Sequence, residues 1–180
     1  MKYYTVDING RKEDLPILSI GENLNIAFFN LHGAQELTEH CGKCLAERLE
    51  LYEPEVILTA ESKGLQLAHC IARELGHKFY AVSRKSKKLY MQDGIDVLIE
   101  SSITTGSEQH LYLSKHDVDL IKGKKVGIVD DVVSTGASLQ GLEDIVKKAG
   151  GIIHKKAFVL AEGDAGDRPD VTFLATIPIL

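Results

Sequence analysis

Tryptophan is missing from the 180 residues, proline occurs four times and cysteine only three. An odd cysteine count leaves no disulfide framework, which excludes a small secreted scaffold held by bridges. No apolar run approaches the roughly 20 residues that cross a bilayer as a helix. The opening Met1-Lys2-Tyr3-Tyr4-Thr5-Val6-Asp7 has no apolar signal stretch, so a cytoplasmic protein with no membrane partner is expected. A basic excess is lacking too: 21 Lys and Arg face 26 Asp and Glu, a net charge of −5. That balance argues against nucleic acid as a partner but leaves room for a small basic pocket that takes an anion. What is present, 44% hydrophobic and 26% charged residues, is a globular composition, and the length suits one domain spanning 1–180.

Cys41-Gly42-Lys43-Cys44 has the CxxC spacing, but a zinc site would want a second pair, and only Cys70 and scattered histidines remain. Leu37, Cys41, Cys44, Leu45 and Arg48 share one helical face, which makes these cysteines small buried hydrophobes.

The chain opens as a hairpin. Segments 2–8 and 15–20 are strand-like around Asn9-Gly10, with residues 11–14 expected to lengthen the connection. A helix is expected over 33–51, ahead of Pro54. Alternation follows: strand 55–60, helix 65–75 ended by Gly76, strand 78–82, a polar stretch, strands 96–101 and 109–113, strand 124–129, helix 135–149, strand 152–160 and an edge at 171–175. The pattern predicts an α/β fold, a mainly parallel sheet flanked by helices over 33–180, with 1–32 as a small N-terminal hairpin or hood.

The chemistry concentrates in Val126-Gly127-Ile128-Val129-Asp130-Asp131-Val132-Val133-Ser134-Thr135-Gly136-Ala137-Ser138. A buried strand ends in two carboxylates, and a hydroxyl- and glycine-bearing turn then opens a helix. In open α/β sheets ligands bind at that end. Free amides at the helix start, with the hydroxyls of Ser134, Thr135 and Ser138, make a phosphate cradle, and Gly136 allows close backbone approach or a positive φ. Two aspartates would repel phosphate but accept hydrogen bonds from sugar hydroxyls further along. The combination describes a pentose 5-phosphate. Neither GxxxxGK[ST] nor GxGxxG occurs, which excludes a P-loop and a dinucleotide fingerprint.

This stretch closely resembles the ribosyl-phosphate motif of type I phosphoribosyltransferases, which replace the pyrophosphate of phosphoribosyl pyrophosphate with a nitrogenous base. Three more segments follow the family's order. Glu61-Ser62-Lys63-Gly64 is similar to its pyrophosphate loop, where members often hold a non-proline cis peptide; Lys63 stands where adenine-type members commonly have Arg. Arg84-Lys85-Ser86-Lys87-Lys88-Leu89 resembles the basic segment of purine members, which implies that Lys85 and Lys88 reach the pyrophosphate. Thr104-Thr105-Gly106-Ser107 falls where the family has a catalytic lid, without the Glu-Tyr common in adenine-type members.

The resemblance implies a Mg²⁺-dependent purine phosphoribosyltransferase, a homodimer, with the metal held mainly through phosphoribosyl pyrophosphate rather than by a protein cage. Asp130 and Asp131 would hold the ribose diol, Val133 to Ser138 the 5-phosphate, and Lys63, Lys85 and Lys88 the pyrophosphate. Phe28, Phe29 and Asn30 lie where purine members build the base pocket, as an aromatic pair and an amide. Phe-Phe-Asn is similar to the xanthine type. The strand ending Val159-Leu160-Ala161-Glu162-Gly163 lacks the lysine that 6-oxopurine members place there, so adenine is expected ahead of xanthine. Orotate as acceptor and a non-catalytic regulator that binds phosphoribosyl pyrophosphate are the alternatives.

Overall fold

The computed structural model describes residues 1–21, 24–99 and 109–180. Its centre is a five-stranded parallel sheet, ordered β10-β9-β8-β4-β5. The strands are β4 (Val56–Ala60), β5 (Ala81–Ser83), β8 (Lys125–Val133), β9 (Ile152–Glu162) and β10 (Thr172–Ile177). All five residues of β4 are buried, as expected for a strand covered on both faces. Successive side chains go to opposite layers. Ile57 and Val129 pack with α1 (Gln35–Glu50) and α2 (Leu65–Glu74). Val56, Leu58, Val126 and Ile128 pack with α4 (Ala137–Lys148) and α3 (Lys115–Ile121).

A separate three-stranded antiparallel sheet precedes this core: β1 (Tyr3–Ile8), β2 (Arg11–Gly21) and β3 (Leu24–Ala27). The β1–β2 turn is Asn9-Gly10 alone, with φ of 53° and 91°, and Ile8 pairs directly with Arg11. Residues 11–14 therefore belong to the strand rather than to a longer connection, because a turn with two positive φ values already matches the strand twist. Val6, Ile8 and Leu15 join the α1–α2 core, and Asn25 exchanges both backbone hydrogen bonds with Leu180, which ties this layer to the end of the chain. The strands β6 (Ile95–Ile99) and β7 (Gln109–Leu113) pair antiparallel and lie on α4. Gly141 makes that contact possible, since a Cβ there would stand 3.0 Å from Ile99 and 3.2 Å from Leu111.

A further expectation needs correction. The strand expected over 124–129 continues to Val133, so Asp130 and Asp131 lie within β8 rather than just beyond it. The pattern predicts no helix over Lys115–Ile121, where α3 forms with Ser114 capping it by accepting from the Asp117 amide. The CxxC segment is core: Cys41, Cys44 and Cys70 are free and buried, and burial pushes the Cys41 thiol up to about 12. Among the described residues no helix is long and apolar enough to cross a membrane.

Candidate active site

Strand order fixes where chemistry can collect. From β4 the chain moves outward to β5, then returns to β8 on the other side of β4 and continues to β9 and β10. The order reverses at the β4–β8 crevice, and the carboxyl ends of these parallel strands all face the same rim. Three expected segments therefore converge: residues 61–64 after β4, 84–88 after β5, and 130–138 at the end of β8. They border a cavity of about 330 Å³ to which Ser62, Lys63, Lys85, Asp130, Asp131 and Ser138 contribute.

The acid pair is built into the strand. The Asp131 amide donates to Asp130 Oδ1 and the Val132 amide to Asp131 Oδ1, each at 2.9 Å. Asp131 is only 6% exposed, and its Oδ2 has no hydrogen-bond partner among the described residues; Lys63 Nζ lies 3.8 Å away. Burial raises both carboxyls above the ordinary aspartate range. The neighbouring charge of Asp131 lifts Asp130 further, whereas Lys63 partly offsets the effect at Asp131. Such a pair is poised to accept hydrogen bonds from a ligand that brings its own donors.

The residue following Lys63 has to be glycine. A Cβ on Gly64 would lie 2.0 Å from Thr59 Oγ1 and 2.8 Å from Asp130 Oδ1, so only a bare backbone passes the acid pair this closely. The Glu61–Ser62 peptide is cis, the geometry the family resemblance implies. Glu61 accepts from Arg84 Nη1 and from the Lys85 amide, both at 2.9 Å. On the far side, Val133 is buried at the end of β8, and Gly136 caps α4 in the left-handed conformation at φ 88°. The Ala137 amide points at Thr135 Oγ1 at 3.5 Å.

Not every expected residue reaches the cavity. Lys88 turns back to donate to Ser86 Oγ at 2.8 Å and sits with Lys87 in a separate surface hollow. Phe29 is 3% exposed within the α1–α2 core. Of the aromatic pair only Phe28 is available, with Lys63 Nζ 5.3 Å from its ring centroid. Asn30 is exposed, and its Oδ1 accepts from the His32 amide. Thr104, Thr105, Gly106 and Ser107 lie outside the described residues.

Three residues were not anticipated. His32 and Gln109 border the cavity, His32 with Nε2 3.5 Å from Ser62 Oγ. Arg168 Nη1 lies 2.5 Å from where a Cβ on Gly136 would fall, while its Nε and Nη2 donate to Asp170. None sits in a local motif. A larger hollow of about 570 Å³ lies against α1 and α2, but neither aspartate nor the α4 turn reaches it.

The family model for the phosphoribosyl transferase domain matches residues 30–175. The chain belongs to the phosphoribosyltransferase family. The xanthine phosphoribosyltransferase of Bacillus cereus is 33% identical over 138 residues, 73% of this chain and 68% of that protein. In fold, the chain is similar to adenine phosphoribosyltransferase from Thermoanaerobacter pseudethanolicus, with a TM-score of 0.75, 20% identity and coverage of 91% of this chain and 95% of that one. It is also similar to the Trypanosoma brucei enzyme in complex with AMP, pyrophosphate and ribose 5-phosphate, with a TM-score of 0.67, 20% identity and coverage of 98% and 76%. Membership makes this chain a pentosyltransferase on the type I fold.

Proposed function

We propose that this phosphoribosyltransferase transfers ribose 5-phosphate from phosphoribosyl pyrophosphate to a purine, adenine by preference, giving AMP and pyrophosphate. The observation that carries the reading is the convergence on one cavity of the acid pair, Lys63, Lys85 and Ser138 of the α4 turn. In that arrangement the 5-phosphate rests on the amides and hydroxyls of residues 134–138. Asp130 and Asp131 accept from the 2- and 3-hydroxyls, and Lys63 and Lys85 balance the pyrophosphate. As the base nitrogen bonds to C1 and the C1–O bond to pyrophosphate breaks, positive charge develops on the sugar, and the two carboxylates stabilise it. Fixing the remote phosphate turns binding energy into orientation at C1. Phe28 is the aromatic surface for the purine face.

The Mg²⁺ that the family generally uses fits this donor set. Asp131 Oδ2, which has no hydrogen-bond partner among the described residues, and the partly exposed Asp130 can accept from water on a hydrated ion, whose other ligands would be sugar and pyrophosphate oxygens. When bound, the ion withdraws charge from the leaving pyrophosphate. The homodimer belongs to the same proposal; exposed Leu89 and Tyr90 at the basic segment give it apolar surface to cover.

Adenine is favoured because β9 carries no lysine at its carboxyl end. That end is Glu162, and the strand's two lysines are engaged elsewhere, Lys156 with Glu143 and Asp170, Lys155 over the Tyr52 ring. A 6-oxo group would miss a charged donor, worth about 1–3 kcal/mol in a buried site, while an exocyclic amine would not. The 33% identity with xanthine enzymes favours xanthine as the second reading. Side-by-side kcat/KM for adenine, xanthine, hypoxanthine and guanine decides it. Adenine should lead by roughly tenfold; a clear lead for xanthine overturns the base assignment. Binding of phosphoribosyl pyrophosphate with no pyrophosphate release for any base would identify a regulator instead.

A further inference from the structure

One group on the cavity has the wrong charge for its surroundings. Glu61 borders the space that the proposed function fills with pyrophosphate, and a carboxylate there repels the ligand. Its hydrogen bonds account for its presence. Oε2 accepts from Arg84 Nη1 and Oε1 from the Lys85 amide, while its own amide donates to the Ser83 carbonyl, all at 2.9 Å. Arg84 is in turn held by paired backbone hydrogen bonds with Tyr112 of β7, at 2.8 Å in both directions. The Arg84 and Lys85 bonds outweigh burial and keep Glu61 ionised below the ordinary glutamate range.

We infer that Glu61 is a positioning residue rather than a pyrophosphate ligand: it clamps the 61–64 loop to the 84–85 segment so that Lys63 and Lys85 face each other across the cavity. The inference rests on the pyrophosphate reading above. Lys63 follows Glu61 by two residues on one loop, and Lys85 is the residue whose amide Glu61 holds. Without the side-chain clamp only backbone contacts such as the Glu61 amide to the Ser83 carbonyl join the two segments, and more of the ordering of the two flexible lysines falls to the ligand.

Charge and position predict opposite signs. Glu61→Gln removes a repelling charge, so an electrostatic bystander would give equal or tighter pyrophosphate binding. A clamp gives weaker binding despite the lost repulsion, because a neutral amide holds Arg84 poorly. The test titrates wild type, Glu61→Gln, Arg84→Gln and the double variant with pyrophosphate plus Mg²⁺ and, separately, with ribose 5-phosphate. KM for phosphoribosyl pyrophosphate and for the purine are measured alongside.

Each single variant should weaken pyrophosphate binding and raise KM for phosphoribosyl pyrophosphate about tenfold, with ribose 5-phosphate affinity and purine KM within roughly twofold. The double variant should be no worse than the poorer single one, as for two ends of one contact. Unchanged or tighter pyrophosphate binding in Glu61→Gln overturns the clamp, as do additive losses or an equal loss for ribose 5-phosphate, which would mean general loosening. If wild type itself binds neither probe, the pyrophosphate reading fails together with the clamp; if it binds both and the variants match it, the clamp alone fails.

Discussion

Replacing Asp130 by asparagine should make the protein more stable and less active, and the size of the first effect should depend on pH. The substitution is nearly isosteric, and the asparagine carbonyl can still accept from the Asp131 amide as Asp130 Oδ1 does. What disappears is an ionisation that the fold opposes. Burial, and then the charge of Asp131, push Asp130 from 3.8 to about 7. In the unfolded chain the carboxyl ionises normally, so between about pH 4 and pH 7 the folded state holds the extra proton. Stability of the wild type is therefore highest at the acid end of this window, falls as pH rises through it, and levels off above pH 7. Asparagine has no such slope. Linkage puts the change in the difference between the two proteins from pH 5 to pH 8 at about 2–3 kcal/mol, or roughly 5–10 °C in Tm for a domain of this size. Thermal melts of wild type and Asp130→Asn across pH 5 to 8 read this directly. Turnover should fall at least about 100-fold, as for the loss of a carboxylate placed against developing charge. A stability difference that stays flat from pH 5 to pH 8 would refute the strained acid pair. Near-normal turnover would refute its place in the reaction.

Gly64→Ala should lower activity and cost about 1–3 kcal/mol of stability by urea titration, because its Cβ would lie 2.0 Å from the buried Thr59 hydroxyl; unchanged urea midpoint and activity would mean the loop relaxes freely. Ribose 5-phosphate should protect the amides of residues 134–138 from hydrogen exchange, and Gly136→Val, which forces a β-branched residue to φ 88°, should remove that protection. Protection confined to 61–64 would misplace the phosphate. Cys41 should resist alkylation in native protein at pH 8 and react on unfolding, since burial holds its thiol near 12; rapid native labelling would contradict its place in the core.

The parallel core is legible because β4 and the 126–129 stretch of β8 read as largely apolar runs and α1, α2 and α4 as periodic segments. Ile57 and its neighbours in β4 need no partner to identify them. The same logic misled at β8. Charged residues ordinarily end a buried run, which predicts a strand that stops at Val129, yet β8 carries Asp130 and Asp131 inside the sheet to Val133. The α3 helix spans seven residues and offers little periodicity, but Ser114 followed by Asp117 three positions later is a capping signature that would have located it.

The site divides along the same line. Segments with a local pattern, the 61–64 loop and the 130–138 stretch, come together as their order along the parallel strands requires, because carboxyl ends of neighbouring strands share one rim. Residues whose role depends on orientation follow no such rule. Lys85 and Lys88 belong to one basic run, yet Lys85 enters the cavity while Lys88 folds onto Ser86. Phe28 and Phe29 are adjacent just past β3, yet Phe28 lies beside Lys63 and Phe29 in the core. Arg168 meets Gly136 because β9 and the turn after it, Gly163–Asp167, carry the chain past the start of α4. Motifs in this chain therefore specify which loops meet, whereas tertiary packing selects the side chains that face the ligand.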